Sequence, residues 1–120
     1  MKKNKDAFVK MAISNLLSQD NYKKFRPEVE ALIAEARKMS VQGITAATKG
    51  MKIRTNNVQS LYRMKFSKYI IAGNDDPLMD INHLKTLANT TGAELRSLSG
   101  GHLSYIEDRV SLLKFLHFID

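Results

Sequence analysis

The sequence contains no cysteine. That excludes disulfides, thiolate metal sites and a cysteine nucleophile, and says little about the compartment. No apolar run approaches the roughly 20 residues that a bilayer-spanning helix needs. Met1 to Asp6 is basic, but no apolar stretch the length of a signal core follows it, so no secretory leader is expected. Internal repeats and low-complexity tracts are missing as well. At 43% hydrophobic and 26% charged residues, the composition is that of a folded chain rather than a disordered one. The expectation is one soluble, cytoplasmic domain of 120 residues with no membrane partner.

Acidic residues are scarce in the first part of the chain. Residues 1–68 hold 15 Lys/Arg against 5 Asp/Glu, whereas residues 69–120 hold 4 against 7. The net charge of +7 therefore belongs to one half, and the two halves are expected to do different work.

Hydrophobic periodicity divides the chain near residue 65. Before it, everything reads as helix. Asp6 to Ser18 places Phe8, Met11, Ala12 and Leu16, with Ile13 and Leu17, on one broad face. Asn21 to Phe25 is a polar, basic break. Pro27 opens a cleaner helix, with Glu28 and Glu30 near its positive end and Arg37 and Lys38 near its negative end. Its stripe is Val29, Leu32, Ile33 and Ala36. Ser40 starts a further helix that Gly50 is expected to stop, and Asn56 to Met64 predicts one more.

After Ser67 the texture changes. Tyr69 to Ala72 is a nearly unbroken apolar run ending in the turn Gly73-Asn74-Asp75-Asp76-Pro77, which predicts a strand buried on both faces in a parallel sheet. Asp80 to Thr91 follows as a helix bearing Ile81, Leu84, Leu87 and Ala88, stopped by Gly92. Ala93 to Leu98 reads as a second strand, followed by Ser99-Gly100-Gly101-His102. Ser104 and Glu107 have capping-box spacing, and the final helix carries Ile106, Val110, Leu113 and Leu116, widened by Leu112, Phe115 and Phe118. The fold class is thus α/β: a helical segment over 1–65, then a β-α-β-α unit with parallel strands over 66–120. Two parallel strands alone leave sheet edges and faces uncovered, so the unit reads as the edge of a larger sheet.

Functional groups in α/β sheets collect at the carboxyl ends of strands. Two features lie there: the Asp75/Asp76 pair and His102. A carboxylate holding a histidine that acts as general base is two-thirds of a hydrolytic triad. An Asp-Asp-Pro turn is equally ordinary turn chemistry, and a histidine after glycines can be a plain loop residue. Spacing alone leaves both readings open. His83 and His117 lack partners at ligand spacing, so neither a metal nor a cofactor is expected.

Gly73-Asn74-Asp75-Asp76-Pro77 followed by Ser99-Gly100-Gly101-His102 resembles the last third of an α/β-hydrolase: strand with G-x-x-D, helix, strand with G-H, closing helix. Arg26 to Leu32 and Gly50 to Arg54 are similar to the helical lid of lid-bearing members and its exit toward the sheet. The resemblance covers roughly residues 26–120. It implies Asp76 as the acid, with Asp75 as the fallback, and His102 as the base of a serine-hydrolase-type enzyme acting on a small-molecule ester or related substrate.

One part of that pattern is absent. No G-x-S-x-G occurs, and the serines at 14, 18, 40, 60, 67, 97, 99, 104 and 111 have no nucleophile elbow around them. The expectation is a C-terminal hydrolase portion, inactive alone, whose partner is an N-terminal half or a second copy joined through strand edges. The alternative is a non-catalytic basic binding module. It lacks a recognisable nucleic-acid motif, and nucleic acid is not the expected partner.

Overall fold

The computed structural model describes residues 2–120, which form a mixed α/β chain dominated by helices. Five helices come first: α1 (Lys2–Ser14), α2 (Gln19–Lys24), α3 (Arg26–Lys38), α4 (Val41–Ile53) and α5 (Val58–Arg63). Then come β1 (Tyr69–Gly73), α6 (Ile81–Thr91), β2 (Glu94–Leu98), α7 (Ser104–Glu107) and α8 (Arg109–Ile119). The strands pair in parallel, from Tyr69 opposite Glu94 to Gly73 opposite Leu98. The parallel β-α-β expectation holds.

The main core lies between α1 and α3, where Val9, Ile13, Leu17, Val29 and Ile33 are buried. The stripe expected for α3 is the one observed, with Leu32 and Ala36 flanking it. The face expected for α1 is observed in part, at Ile13 and Leu17. Phe8 and Met11 are exposed, and the inward positions are Val9 and Ile13, one turn apart. The helix stops at Ser14, so Leu16 and Leu17 belong to a turn, and Leu17 still buries beside Val9 and Ile13. Asp6 and Lys5 of α1 hold the far end of α3: Arg37 pairs with Asp6, and Lys5 Nζ donates to the Arg37 carbonyl at 2.7 Å. The Arg37 guanidinium holds the Asp6 carboxyl below its usual range.

Two boundaries differ from expectation. The break at Asn21–Phe25 is largely the helix α2, whose Asp20 in the first turn and Lys23 and Lys24 in the last suit its dipole. Gly50 does not stop α4. Ser40 caps that helix by accepting from the Gly43 N–H at 2.9 Å, and it runs through Gly50 to Ile53. A stopping glycine needs a left-handed backbone, which only Gly92 and Gly100 adopt.

The α6 crossover follows its local signals. Asp80 accepts from the N–H groups of Asn82 and His83, and Gly92 (φ 70°) ends the helix. Leu84, Ala88 and Thr91 face inward. Lys68 secures this region from outside. Its ammonium donates to the carbonyls of Leu61 (3.0 Å), Met64 (3.1 Å) and Thr91, joining the C-terminal ends of α5 and α6. Replacing it with methionine keeps the stem and removes a donor from three carbonyls, of which that of Leu61 keeps the Met64 N–H. Lys68→Met is expected to lower the urea-unfolding free energy by about 2 kcal/mol; an unchanged midpoint would show the cap to be idle.

The strand expected to be buried on both faces is buried only at Ala72 and Gly73. Tyr69 and Ile71 are exposed, because a two-stranded sheet has no neighbours to shield its start. The closing helix is two helices. Asp108 interrupts it and caps α8 by accepting from Ser111 N–H at 3.3 Å. It also accepts from the Ser99 N–H and hydroxyl, and the hydrogen bond from Ser111 is the largest cause of its lowered carboxyl pKa. The break resets the helical phase. Of the expected face, Phe115 is the buried residue, edge-on to Tyr69 at 5.3 Å, while Val110, Leu113 and Leu116 are exposed. Only half the expected capping box forms: Glu107 accepts from the N–H of Leu103, the true N-cap, and the Ser104 side chain makes no cap bond.

Candidate functional site

The turns after β1 and β2 lie against each other because glycine lets their backbones meet. A Cβ on Gly73 would stand 2.0 Å from the Gly101 carbonyl oxygen and 2.5 Å from that of Gly100. Backbone bonds join the turns: Asn74 N–H donates to the Leu98 carbonyl and Asp75 N–H to the Gly100 carbonyl, each at 2.9 Å. Gly100 has a φ of 91°, available cheaply only to glycine. Gly101 in turn rests on the α1–α2 turn, where a Cβ would meet Ser18 N at 2.7 Å and Leu16 O at 2.8 Å.

This juxtaposition brings the two expected residues together. Asp76 Oδ2 lies 2.7 Å from His102 Nδ1. Its other oxygen accepts from the N–H groups of Leu78 (2.8 Å) and Met79 (3.2 Å), which fixes the carboxylate plane. The Asp76 side chain is 5% exposed and that of His102 is 43% exposed. The pair is thus a shielded carboxylate behind an accessible imidazole. His102 N–H donates to the Leu16 carbonyl at 2.7 Å, anchoring the backbone under the ring. Asp75, the fallback acid, is exposed and bonds through its own N–H.

A carboxylate can only accept, so Nδ1 carries the proton in this pair. In the neutral ring the lone pair is then on Nε2, which makes no hydrogen bond among the described residues. This arrangement can take a proton from a group placed at Nε2. No hydroxyl of the described residues is hydrogen-bonded to it. Ser14 donates to Lys10, Ser40 caps α4, Ser99 binds Asp108, and Thr45, Thr48, Thr86, Thr90 and Thr91 donate one turn back. A groove of about 390 Å³ between α1 and α4, lined by Phe8, Val41, Ile44 and Thr48, involves neither Asp76 nor His102. Among the described residues no three His, Asp or Glu side chains converge as a metal site.

The basic half carries a second feature. Residues 36–74 contain no Asp or Glu. Arg37 and Lys38 pair with Asp6 and Glu35, and Lys68 binds carbonyls. Lys49, Lys52, Arg54, Arg63 and Lys65 are exposed and form no ion pair among the described residues. Met51, Ile53, Tyr62 and Phe66 are exposed among them.

Sequence reasoning placed Glu107 at a helix cap and missed its wider bonding. It also missed Lys68 and Asp108, whose partners are mostly backbone groups, four to 23 residues away for Lys68 and three to nine for Asp108. No protein-family model matches the chain, and no curated protein matches it.

Proposed function

We propose that the chain is the C-terminal portion of an α/β-hydrolase, a helical lid segment followed by the acid and histidine turns, acting on a small-molecule ester or related substrate. The observation that carries this reading is the 2.7 Å contact between Asp76 and His102 at the carboxyl ends of two parallel strands. Chain order supports it, with the acid on the first turn and the base on the second. In this reading Asp76 fixes the tautomer and orientation of His102. His102 Nε2 takes a proton from a nucleophile and returns it to the leaving group. The nucleophile and oxyanion donors come from a partner, an N-terminal hydrolase half that adds strands to the sheet; self-association through the strand edges is the other route to a complete sheet. Residues 1–120 alone are therefore expected to leave a p-nitrophenyl ester untouched, with turnover appearing once a half bearing G-x-S-x-G is supplied. Robust turnover by the chain alone, lost in His102→Ala, would overturn the reading.

A second reading, a non-catalytic basic interaction module, is favoured by the acid-free stretch and its five cations that form no ion pair among the described residues. It predicts binding to duplex DNA that weakens by an order of magnitude or more between about 50 and 200 mM salt. A flat titration at both salt concentrations removes it.

A further inference from the structure

Glu107 is a carboxylate in an unusual place, with only 6% of the residue exposed. It forms no ion pair among the described residues, so hydrogen-bond donors alone offset its desolvation. Oε1 accepts from the Ser18 N–H at 2.9 Å and from Asn21 Nδ2 at 3.1 Å. Oε2 accepts from the Leu103 N–H at 3.1 Å. One buried charge thus joins the α1–α2 turn, α2 and the residue after His102.

The surrounding packing has the same focus. A Cβ on Gly100 would lie 2.7 Å from Glu107 Cβ and 2.8 Å from Asn21 Nδ2, so the turn that carries His102 is moulded on this group. The backbone of His102 is held on both sides, its own N–H by Leu16 and the next N–H by Glu107. Asp76 fixes the ring only through Nδ1. A displaced backbone would swing the ring away from Asp76 even with the acid intact.

We propose that Glu107 is a positioning residue for the His102 imidazole, and that it makes the seating of the helical half a determinant of the base's geometry. The proposal rests on the reading of His102 as the base. Glu107 acts through the N–H groups of Leu103 and Ser18 and touches no reacting atom. The helical segment, besides lining whatever pocket it covers, then regulates the histidine: a ligand or partner that shifts the α1–α2 turn shifts His102 with it.

The test is NMR of the ¹⁵N-labelled 120-residue chain, following solvent exchange of the His102 Nδ1 proton. Glu107→Ala is expected to speed that exchange roughly tenfold or more, while the amides of α6 keep their wild-type rates. Glu107→Gln retains an accepting oxygen and is expected to fall between. Asn21→Ala removes one donor and leaves the carboxylate in place; it is expected to speed exchange several-fold. Wild-type exchange at His102 in folded Glu107→Ala, or in both Glu107→Gln and Asn21→Ala should the alanine variant not fold, overturns the proposal. Absence of a protected Nδ1 proton in the wild-type chain overturns the Asp76–His102 pairing itself and the proposal with it. A protected proton indifferent to residues 107 and 21 overturns the positioning role alone, and the hydrolase reading stands on its separate turnover test.

Discussion

Gly73→Ala is expected to disrupt the β1–β2 unit, with a cost above about 4 kcal/mol. The added methyl would lie 2.0 Å from the Gly101 carbonyl oxygen, and the obstacle is backbone rather than a side chain that can rotate away. Moving the Gly100–Gly101 turn outward would break the bonds from Asn74 and Asp75 that hold it. Moving it the other way drives Gly101 into Leu16 and Ser18, already within 3 Å of its ideal Cβ position. Neither direction offers relief. Against a total of 5–15 kcal/mol for an ordinary domain, such a loss leaves little folded protein at 37 °C. Gly50→Ala is the internal control. That position is helical with nothing within 4 Å of the new methyl, so a gain of about 0.5–1 kcal/mol is expected. Urea unfolding followed by circular dichroism reads both, and equal stability of Gly73→Ala and wild type would mean the turns are not in contact.

The other large effect follows from the proposed hydrolase function. With a nucleophile-bearing half supplied, Asp76→Asn is expected to lower kcat for ester hydrolysis by about 10⁴-fold, and His102→Ala by at least as much. The asparagine variant is the more telling, because it keeps size and shape. Its amide can face Nδ1 with a donor, favouring the tautomer that carries hydrogen on Nε2 and so removing the lone pair where a proton must be received. Asp75→Asn is expected to change kcat by only a few-fold, since that side chain is exposed. Steady-state rates on a p-nitrophenyl ester discriminate the two aspartates. A larger loss at position 75 than at 76 would move the acid to the other residue.

What could be read in advance was whatever is decided within one turn of chain. Asp80 and Gly92 bound α6 because a cap and a left-handed stop are local events, and the α3 stripe survived because that helix is regular from end to end. That the turns bearing Asp76 and His102 meet was legible through their places after two parallel strands, and the choice of Asp76 over Asp75 through the resemblance. The faces of α1 and α8 were legible only in part: Ile13, Leu17 and Phe115 lie inward as expected, whereas Phe8, Met11, Val110, Leu113 and Leu116 are exposed. Lys68 and Glu107 were illegible in their full roles. Apart from the Asn21 amide on Glu107, their partners are backbone groups up to 89 residues away, and a carbonyl or N–H leaves no mark in the sequence. The exposed start of β1 follows from the number of strands in the sheet, which no single strand encodes.

The contact between the His102 turn and the α1–α2 turn also sets the order in which the molecule can assemble. Asp76 and His102 are 26 residues apart and linked by α6, so their meeting closes a short loop. Ser18 and Glu107 are 89 residues apart, and the entropy of closing a loop rises with its length. During synthesis the α1–α2 turn leaves the ribosome first and waits for nearly the whole chain before its partner arrives. The seat of the histidine is thus among the last contacts made, and a refolding experiment should find the crossover protected before the clasp around Glu107.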